Sequence, residues 1–312
     1  MKVGIIIPCY NEEETLAETT KRLQVLLDEM IATGSIDKES FVCYVDDGSA
    51  DKTWELIEAF QKEYKQFKGI KLSRNFGHQN ALIAGLMQFK DSADTLVSMD
   101  ADLQDDINLI KEFVEKYKEG YDVVYGVRED RSKDTRFKRD TAGFFYKLQH
   151  FMGIETVQNH ADYRLLSKKA LNALADFKEI NLFLRGIVPM LGFRSCSVYY
   201  TRTERFAGET KYPFRKMLFF ALDGITSFSV MPLRIITVMG FFLFFLSLLG
   251  IGWVVVEKII LGNTVQGWAS TMLTMYFIGG IQMMSLGVIG EYVGRSFQQG
   301  KERPRYIIDK EI

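Results

Sequence analysis

The chain has 312 residues, a formal net charge of −1, 47% apolar residues and three cysteines. The near-neutral charge argues against the strongly basic surface of a nucleic-acid-binding protein, and three isolated cysteines exclude a disulfide framework and a cysteine-rich zinc site. The length allows about two domains. Short apolar runs alternate with charged stretches over the first two thirds, whereas the last third contains two long uncharged segments.

Five apolar runs in the first 128 residues predict β-strands, and a helical pattern follows each of the first four. We expect Pro8 to end the first strand. Strands that alternate with helices predict βαβ units, and therefore an α/β fold with a doubly wound, mostly parallel sheet. The predicted strands cover 3–7, 41–45, 69–72, 95–99 and 121–127, and the helices cover 12 onward, 51–64, 78–89 and 107–120.

A polar cluster follows every predicted strand. The clusters read PCYNEEE, DDGSADKT, SRNFGHQNA, DADLQDD and VRED in chain order. Ligands of a parallel α/β sheet bind outside the carboxyl ends of its strands, so this edge is the predicted site. No GxGxxG follows the first strand and no GxxxxGKS/T occurs, which excludes a dinucleotide site and a P-loop. Phosphates at this edge would therefore need a cation or basic side chains.

Two uncharged segments, 235–256 and 268–290, predict a transmembrane hairpin. Each is long enough, at a rise of about 1.5 Å per residue, to cross a hydrocarbon core about 30 Å thick; a buried helix pair is the alternative. Basic residues flank the hairpin but are nearly absent between its helices, which places both termini in the cytoplasm. We expect no signal peptide. The flanking basic residues are Lys211, Arg215, Lys216, Arg234, Arg295, Lys301, Arg303, Arg305 and Lys310, and Lys258 lies between the helices.

The segment before the hairpin has apolar residues at helical spacing and charges on the other side. This pattern predicts an amphipathic helix at the membrane interface, with a core helix as the alternative. The predicted organisation is a cytoplasmic catalytic domain at 1–211, an interfacial segment at 212–233, the hairpin at 234–293 and a basic cytoplasmic tail at 294–312.

Several motifs, in this order, resemble those of a known family. IIIPCYNEEE, VDDGSADKT, SRNFGHQNALIAGL and MDADLQD are similar to the motifs of family 2 inverting glycosyltransferases. The later ADYRLLS, ERFAGETKY, GEYVGR and KERPRYII resemble the polyprenyl-phosphate glycosyltransferases, which include the dolichyl-phosphate mannose synthases and the bactoprenol glucosyltransferases. The resemblance covers essentially the whole chain, and the two-span hairpin is similar to the bactoprenol type. It implies a Rossmann-like nucleotide-diphospho-sugar transferase fold.

The resemblance implies that the DxD motif, Asp100 and Asp102, holds Mg²⁺ or Mn²⁺, with Gln104 as a further oxygen ligand. A divalent cation suits this reaction, because the leaving diphosphate develops negative charge. The same segment, Ala101 included, would contact the nucleotide sugar, and Asp102 is also a candidate catalytic residue. A solvated turn at the strand end is the alternative. Asp106 is expected to cap the following helix, and Asp105 has no predicted role.

The resemblance places the nucleoside at the ends of the first two strands. Pro8, Tyr10 and Glu12 match positions around the base and ribose, and Tyr10 is available to stack on the base. Asp47, with the backbone of Val45, matches the position that reads the base edge. An aspartate can accept from a ring N–H of uracil or of guanine, so it does not choose between them. The alternative for the Asp46–Asp47 pair is a turn before Gly48.

Arg128, Arg205 and Lys211 match family positions that contact phosphates of the donor or the acceptor. Asp162 is the family's candidate catalytic base. A phosphomonoester has a second pKa of about 6, however, so the acceptor already lacks the proton that a base would remove. The alternative is that Asp162 orients Arg164 or the acceptor phosphate. His78 is expected to donate a hydrogen bond near the pocket.

These observations predict a membrane-anchored, inverting glycosyltransferase that moves one sugar to undecaprenyl phosphate at the cytoplasmic face. UDP-glucose is the predicted donor, and GDP-mannose and UDP-N-acetylglucosamine are the alternatives. A non-catalytic scaffold that binds nucleotide sugar and recruits a flippase is the non-enzymatic alternative. The predicted partners are a nucleotide diphosphate sugar, polyprenyl phosphate and membrane lipid, with no nucleic acid; a homo-oligomer and a flippase stay open as partners.

Overall fold

The computed structural model describes residues 1–128, 160–179, 183–201, 231–259 and 267–312. The chain divides into two compact units. The first comprises Met1–Met217 together with Arg303–Ile312, and the second comprises Leu218–Glu302.

Within the described residues, the first unit is built on a sheet of eight strands. They are β1 (Val3–Cys9), β2 (Phe41–Asp46), β3 (Phe67–Leu72), β4 (Thr95–Ser98), β5 (Val123–Arg128), β6 (His160–Ser167), β7 (Ser195–Tyr200) and β8 (Ile308–Glu311). Their order across the sheet is β7-β5-β6-β4-β1-β2-β3-β8. β1 to β4 run parallel, β6 runs antiparallel to both of its neighbours, and β8 runs antiparallel to β3. The predicted α/β fold and all five predicted strands are confirmed; the last three strands were not predicted.

Helices cover both faces of this sheet. They are α1 (Leu16–Ala32), α2 (Thr53–Glu63), α3 (His78–Phe89), α4 (Leu109–Lys118), α5 (Lys168–Ala175) and α6 (Leu184–Met190). The buried side chains of α1, α2 and α4 share one core with Ile5, Ile7 and Tyr44. Because side chains alternate along a strand, Ile6 and Val45 face the opposite side, where α3 packs. These helix layers on the two faces of the sheet confirm the predicted doubly wound arrangement.

A glycine lets α3 lie close to the sheet. A β-carbon at Gly85 would lie 2.4 Å from Ile6 Cγ2 and 2.8 Å from Val45 Cγ2. Neither branched side chain can give way in a packed core. Gly85 therefore sets the depth at which α3, and His78 at its first turn, lies against β1 and β2.

β1 continues through Pro8 to Cys9, so the prediction that Pro8 ends the strand is wrong. Alternate residues of a strand direct their backbone groups to the same neighbour. The carbonyl of Ile6 accepts from Met99 N–H at 3.2 Å, so Pro8 also faces β4. That strand ends at Ser98, the partner of Ile6. The missing N–H of Pro8 therefore costs no ladder hydrogen bond.

The last residues of the chain pair with the edge of the sheet. Ile312 N–H donates to the Gly69 carbonyl and Gly69 N–H donates to the Ile312 carbonyl, both at 2.9 Å. Gln88 Nε2 also donates to Glu311 Oε2 at 2.6 Å. The sequence analysis placed these residues in a basic tail and did not predict this strand, because IDKE has no apolar alternation.

The second unit contains two long helices, α7 (Met231–Ile259) and α8 (Trp268–Gly300). Among the described residues, one helix is long and apolar enough to cross a membrane, over Met231–Gly250 with a mean hydropathy of 2.1. Large apolar side chains such as Phe242, Leu249 and Trp253 are about 70% exposed on α7. An apolar surface of this kind is stable in lipid and costly in water. The second predicted span lies within α8 and stays a prediction.

Candidate active site

The loops after β1 and β2 form one hydrogen-bonded body at the carboxyl edge of the sheet. Asn11 N–H donates to Ser49 Oγ at 3.0 Å, and Ala50 N–H donates to Asn11 Oδ1 at 2.9 Å. Glu12 N–H donates to Thr53 Oγ1 at 2.9 Å. Asn11 has a φ of 55°, a left-handed conformation that asparagine tolerates better than most residues. The polar clusters that follow these two strands therefore meet as predicted.

Asp47 ties the loop after β3 to this body. Its Oδ1 accepts from Phe76 N–H at 2.7 Å and its Oδ2 accepts from Gly77 N–H at 2.9 Å. Burial raises the pKa of Asp47, and these two N–H donors partly oppose that rise. Gly48 has a φ of 70°, and a β-carbon there would lie 2.6 Å from the carbonyl carbon of Arg74. Base reading by Asp47 stays a prediction, and it would use the remaining lone pairs of a carboxylate that already holds a loop.

Asp46 has the turn role considered for this pair. Its side chain is fully buried, and its Oδ1 accepts from Ser49 N–H at 3.1 Å. Its Oδ2 is also buried and has no hydrogen-bond partner among the residues that the structure describes. The two neighbouring aspartates therefore have different roles. Asp46 stabilises the loop after β2, and Asp47 stabilises the loop after β3.

The predicted nucleoside contacts surround this body. Pro8 and Val45 are paired in the β1–β2 ladder, and both are buried. They could therefore contact a nucleoside through backbone groups or through a small apolar surface. Tyr10 is 48% exposed, so its side chain is accessible to a stacking partner. Glu12 Oε2 accepts from Thr15 Oγ1 at 2.9 Å. The roles of these residues toward a nucleoside stay predictions.

The DxD loop after β4 is held by its own backbone and by α1. Leu103 has a φ of 55°, and strained backbone of this kind concentrates at functional sites. The turn lets Asp102 Oδ1 accept from Gln104 N–H at 3.2 Å. Thr19 Oγ1 on α1 donates to the Ala101 carbonyl at 3.0 Å. The loop therefore has a fixed shape, and the support from α1 was not predicted.

Three other carboxylates, those of Asp102, Asp105 and Asp162, lie near Asp100. Burial raises its pKa to about 6, with further increases from Asp162, Asp105 and Asp102, while His78 lowers it. The His78 Nε2 atom lies 3.5 Å from Asp100 Oδ1 and 3.9 Å from Asp162 Oδ2. His78 therefore lies between the two carboxylates, closer to the predicted chemistry than the sequence analysis placed it.

The donor atoms at this point fit a hard divalent cation. Carboxylate oxygens of Asp100 and Asp102 suit Mg²⁺ or Mn²⁺, which proteins often bind with one or two carboxylates and substrate phosphates. Within the described ranges, no group of three or more His, Cys, Asp or Glu side chains is placed to hold a metal by itself. Burial is the main cause of the raised pKa of Asp100, and the negative charges of Asp162, Asp105 and Asp102 raise that pKa further. A site completed by phosphates matches that arrangement.

Asp162 lies across from the DxD loop, on β6, and two arginines surround it. Arg164 Nη2 pairs with Asp162 Oδ1, and Arg185 Nη2 lies 3.3 Å from Asp162 Oδ2. Burial alone would raise the pKa of Asp162, but Arg185 and Arg164 hold it well below its usual range. A carboxylate so stabilised as an anion is a weak proton acceptor. The base role stays a prediction, and the geometry favours the alternative in which Asp162 orients an arginine.

Asp105 links the DxD loop to the far side of the sheet. Its Oδ1 accepts from Tyr200 Oη at 2.5 Å and from Arg128 Nη2 at 3.3 Å. Arg128 Nε also donates to Tyr200 Oη at 3.2 Å, and the edge of the Tyr163 ring meets Tyr200. The predicted phosphate contact Arg128 is therefore held in place by Asp105. The sequence offered no signal for this, since Tyr200 belongs to an unpredicted strand.

Asp106 was expected to be the N-cap of the following helix, but the N-cap of α4 is Asn108, two residues later. Asp106 Oδ1 accepts from Asn108 N–H at 2.9 Å, while α4 begins at Leu109. Asp106 therefore closes an Asx-type turn ahead of the helix, and the prediction that it caps a helix from Ile107 is wrong.

Two predicted phosphate contacts, Arg205 and Lys211, lie outside the described residues, and so does most of the predicted interfacial segment. The basic site residues that the structure does place are Arg128, Arg164 and Arg185. Arg185 was missed, although its segment, NLFLRG, combines an arginine with an otherwise apolar run.

Comparison with known proteins gives two family matches. Glycosyl transferase family 2 matches residues 4–175, and the GtrB C-terminal hairpin matches residues 231–296. The uncharacterized glycosyltransferase YkoT of Bacillus subtilis (strain 168) is 51% identical over 309 residues, 99% of this chain and 91% of the relative. The bactoprenol glucosyl transferase of Shigella phage SfX is 37% identical over 309 residues, 99% of each chain. A prophage bactoprenol glucosyl transferase homolog of Escherichia coli (strain K12) is 38% identical over 311 residues, again 99% of each.

Proposed function

Since this chain belongs to glycosyl transferase family 2, and is a glycosyltransferase that ends in a GtrB hairpin, we propose that it transfers one glucose from UDP-glucose to polyprenyl phosphate with inversion. The names of two full-length relatives, a bactoprenol glucosyl transferase and a bactoprenol glucosyl transferase homolog, support glucose as the sugar and a polyprenyl acceptor. One observation carries the proposal. The DxD carboxylates and an arginine-rich cluster around Asp162 meet at one sheet edge, in a chain that also has an apolar helix of membrane-spanning length.

The site residues divide the work of this reaction. Asp100 and Asp102 would hold Mg²⁺ or Mn²⁺, which when bound neutralises charge on the leaving diphosphate. Arg128, fixed by Asp105, is suited to contact a diphosphate oxygen through its guanidinium. The acceptor phosphate is already ionised at neutral pH. The main task of these residues is therefore to position the donor diphosphate and the acceptor phosphate on opposite sides of the sugar. Proton transfer is a smaller part of the reaction.

Membrane attachment follows from the path of the chain. β7 and β8 belong to one sheet, and the apolar helix α7 lies between them in the sequence. A chain that leaves a folded unit and returns to it crosses a membrane an even number of times. If α7 crosses a membrane, a second crossing is needed before β8, and α8 is the helix available for it. This path supports a multi-pass protein, and the basic flanks support a cytoplasmic catalytic unit.

The test is a transfer assay with the full-length chain in detergent or vesicles. Radiolabelled UDP-glucose, GDP-mannose and UDP-N-acetylglucosamine are each incubated with undecaprenyl phosphate and Mg²⁺ or Mn²⁺, before and after EDTA. We expect a lipid-extractable product from UDP-glucose that EDTA abolishes. A product from another donor would reassign the sugar. Measurable UDP binding without product from any donor would support the non-catalytic scaffold instead.

A further inference from the structure

The C-terminal motif KERPRYII, 301–308, takes no part in the proposed chemistry, yet it contacts the catalytic unit at points beyond the pairing of β8. The Ile307 carbonyl accepts from Ser73 N–H at 3.0 Å. Arg305 Nη2 donates to the Phe177 carbonyl. This motif therefore bridges two separate segments of the unit, and both segments lead to the predicted active site.

The contact with Ser73 lies at the start of a site loop. Ser73 follows β3 directly, and the pairing of β3 with β8 changes register just before β3 ends. A register change of this kind bends a strand and redirects the residues that follow it. At the other end of the loop, Asp47 Oδ1 accepts from Phe76 N–H at 2.7 Å, and α3 begins at His78. The loop is therefore fixed between Ile307 and Asp47, and it leads to His78 beside the site carboxylates.

The contact with Phe177 lies at the end of α5. Phe177 N–H donates to the Leu174 carbonyl at 3.2 Å, and its own carbonyl accepts from Arg305. Arg305 is half-buried, and burial lowers the pKa of its guanidinium while the nearby Glu179 opposes that shift. Because a charged group withdrawn from water needs hydrogen bonds, this contact fixes the side chain in place. Since α5 continues directly from β6, the anchored segment adjoins the strand that carries Asp162.

The two contacted segments meet again at the site. Leu184 N–H donates to Gln79 Oε1 at 2.9 Å, which joins the first turn of α6 to the first turn of α3. The Leu184 carbonyl accepts from Arg164 Nη1 at 3.2 Å, and Arg164 pairs with Asp162. Together with the two contacts of the C-terminal motif, the hydrogen bond between Leu184 and Gln79 closes a hydrogen-bonded ring from the sheet edge to the site. Since His78 directly precedes Gln79, a change in this ring is expected to shift His78.

We propose that Arg305 is a positioning residue for the transfer reaction, because it closes this ring and so fixes His78 relative to Asp162. This inference rests on the proposed function. The ring adjoins the β4–β6 side of the site, whereas the predicted nucleoside contacts follow β1 and β2. We therefore expect it to affect the transfer step more than nucleotide binding. The C-terminal motif then belongs to the framework of the active site and does more than cover the edge of β3.

The first test measures transfer kinetics of the full-length chain in detergent, with undecaprenyl phosphate as acceptor. Small misplacements of reacting groups are costly in rate, so we expect Arg305→Gln to lower kcat about tenfold or more and to change the KM for UDP-glucose less than about twofold. Arg305→Lys keeps the charge and a donor, and it should recover part of kcat.

Arg303→Gln is the matched control for these kinetics. It removes the same charge two residues away, and Arg303 is exposed and makes no hydrogen bond or ion pair within the described part of the chain. We expect its kcat to equal that of the wild type. Equal losses of kcat in Arg303→Gln and Arg305→Gln, or a loss of thermal stability in Arg305→Gln without a change in kcat, would overturn the proposal.

Gln79→Met tests the ring at its opposite point, since it removes the acceptor for Leu184 N–H and leaves the C-terminal motif intact. If both residues act through one ring, the loss of kcat in the double variant with Arg305→Gln should be smaller than the product of the two single losses. Single losses that multiply would contradict a shared ring. So would a Gln79→Met variant with the kcat of the wild type, which keeps the test decisive even if Arg305→Gln does not fold.

Amide hydrogen exchange, measured by mass spectrometry, tests the ring without relying on activity. In Arg305→Gln we expect faster exchange in peptides that cover 73–79 and 183–188, because local opening there becomes easier, and no change in α4. Faster exchange confined to β8 would show that Arg305 only holds that strand, and the positioning role would be wrong.

Together the two measurements distinguish this inference from the proposed function. If the wild type transfers glucose and Arg305→Gln matches it in kcat and in exchange, Arg305 has no positioning role and the proposed function stands. If the wild type transfers no sugar from any donor while exchange at 73–79 and 183–188 responds as expected, the ring stands and the proposed function fails.

Discussion

Asp100 follows β4 and Asp162 lies on the neighbouring strand β6, and the pKa values of these two carboxyl groups shift in opposite directions. Burial and the negative charge of nearby aspartates raise the pKa of Asp100 to about 6. Asp162 is at least as buried, yet Arg185 and Arg164 hold its pKa well below the usual range. Environment rather than residue type therefore assigns the roles, with one carboxylate suited to attract a cation and the other already paired with cations.

The pairing of Asp162 predicts how stability depends on pH. Its folded pKa lies below the unfolded value of about 3.9, so its contribution is complete above that value and disappears as the pH falls through the folded pKa. We expect Asp162→Asn to be less stable than the wild type by about 3 kcal/mol at pH 7, with the difference narrowing below about pH 4. Thermal unfolding of both proteins across this range measures it. A difference that stays constant into acid would contradict the ion pair.

The contacts of Tyr200, on β7, predict that this strand affects binding of the nucleotide sugar. Tyr200→Phe removes the hydroxyl that donates to Asp105 Oδ1 and accepts from Arg128 Nε. We expect a stability loss of about 1–3 kcal/mol, since a buried carboxylate oxygen loses a donor, and a raised KM for the nucleotide sugar because Arg128 is less constrained. The neighbouring Tyr199 is 60% exposed, so Tyr199→Phe is the matched control. An unchanged KM in Tyr200→Phe would show that Asp105 alone positions Arg128.

At the scale of elements, α1 connects the core to the DxD loop. Thr19 and Thr20 are adjacent buried threonines, and each hydroxyl donates to a helix carbonyl one turn earlier. Thr19 also reaches the Ala101 carbonyl in the DxD loop at 3.0 Å, whereas Thr20 pairs with Tyr44 Oη in the core at 2.8 Å. One helix turn therefore supports both the packing of the sheet and the shape of the site.

This difference gives a prediction with a built-in control. Thr19→Val and Thr20→Val are each expected to lower stability by about 1 kcal/mol or more, because each removes a buried hydroxyl that contacts a helix carbonyl and one further group. Only Thr19→Val should raise the Mn²⁺ concentration needed for half-maximal transfer, since only Thr19 supports the DxD loop. A metal titration of both variants decides the matter. Equal shifts in the two would mean that the loop keeps its shape without α1.

At the scale of the whole molecule, the last residues return to the sheet after the membrane hairpin. Ile312 and Gly69 exchange backbone hydrogen bonds, and Arg305 donates to the Phe177 carbonyl. The catalytic unit is thus built from sequence on both sides of α7 and α8. Because its two parts are hydrogen-bonded into one sheet, the proposed hairpin would have to cross the membrane and return, with both parts on the same side.

This path predicts the accessibility of introduced cysteines. Asn263 lies in the connection predicted between the two spans, and Lys310 lies in β8. In intact cells, a membrane-impermeant maleimide should label Asn263→Cys and leave Lys310→Cys unlabelled until lysis. Cys9 and Cys43 are buried and give little background, and Cys196, which is partly exposed, is replaced by serine in both variants. Labelling of neither cysteine before lysis would mean that the hairpin does not cross.

The family resemblance named Asp100, Asp102 and Asp162 as candidate site residues, and these assignments stay predictions. The sequence by itself determined the alternation of strands and helices and the sheet edge at which the polar clusters meet. These depend on local periodicity and on where polar clusters follow apolar runs, which a chain displays residue by residue. It also indicated the hairpin, because membrane-spanning length and the positions of basic residues are properties of sequence alone.

Only the tertiary structure decided which groups these residues face. Arg185 lies 23 positions from Asp162, and Tyr200 lies 95 positions from Asp105. Both contacts exist because β6 enters the sheet antiparallel between β4 and β5, and β7 pairs beyond it. The order of strands in a sheet is set by the packing of the entire core, and no local pattern specifies it. The pairing of Asp162 with Arg185 was therefore not specified by any local sequence pattern.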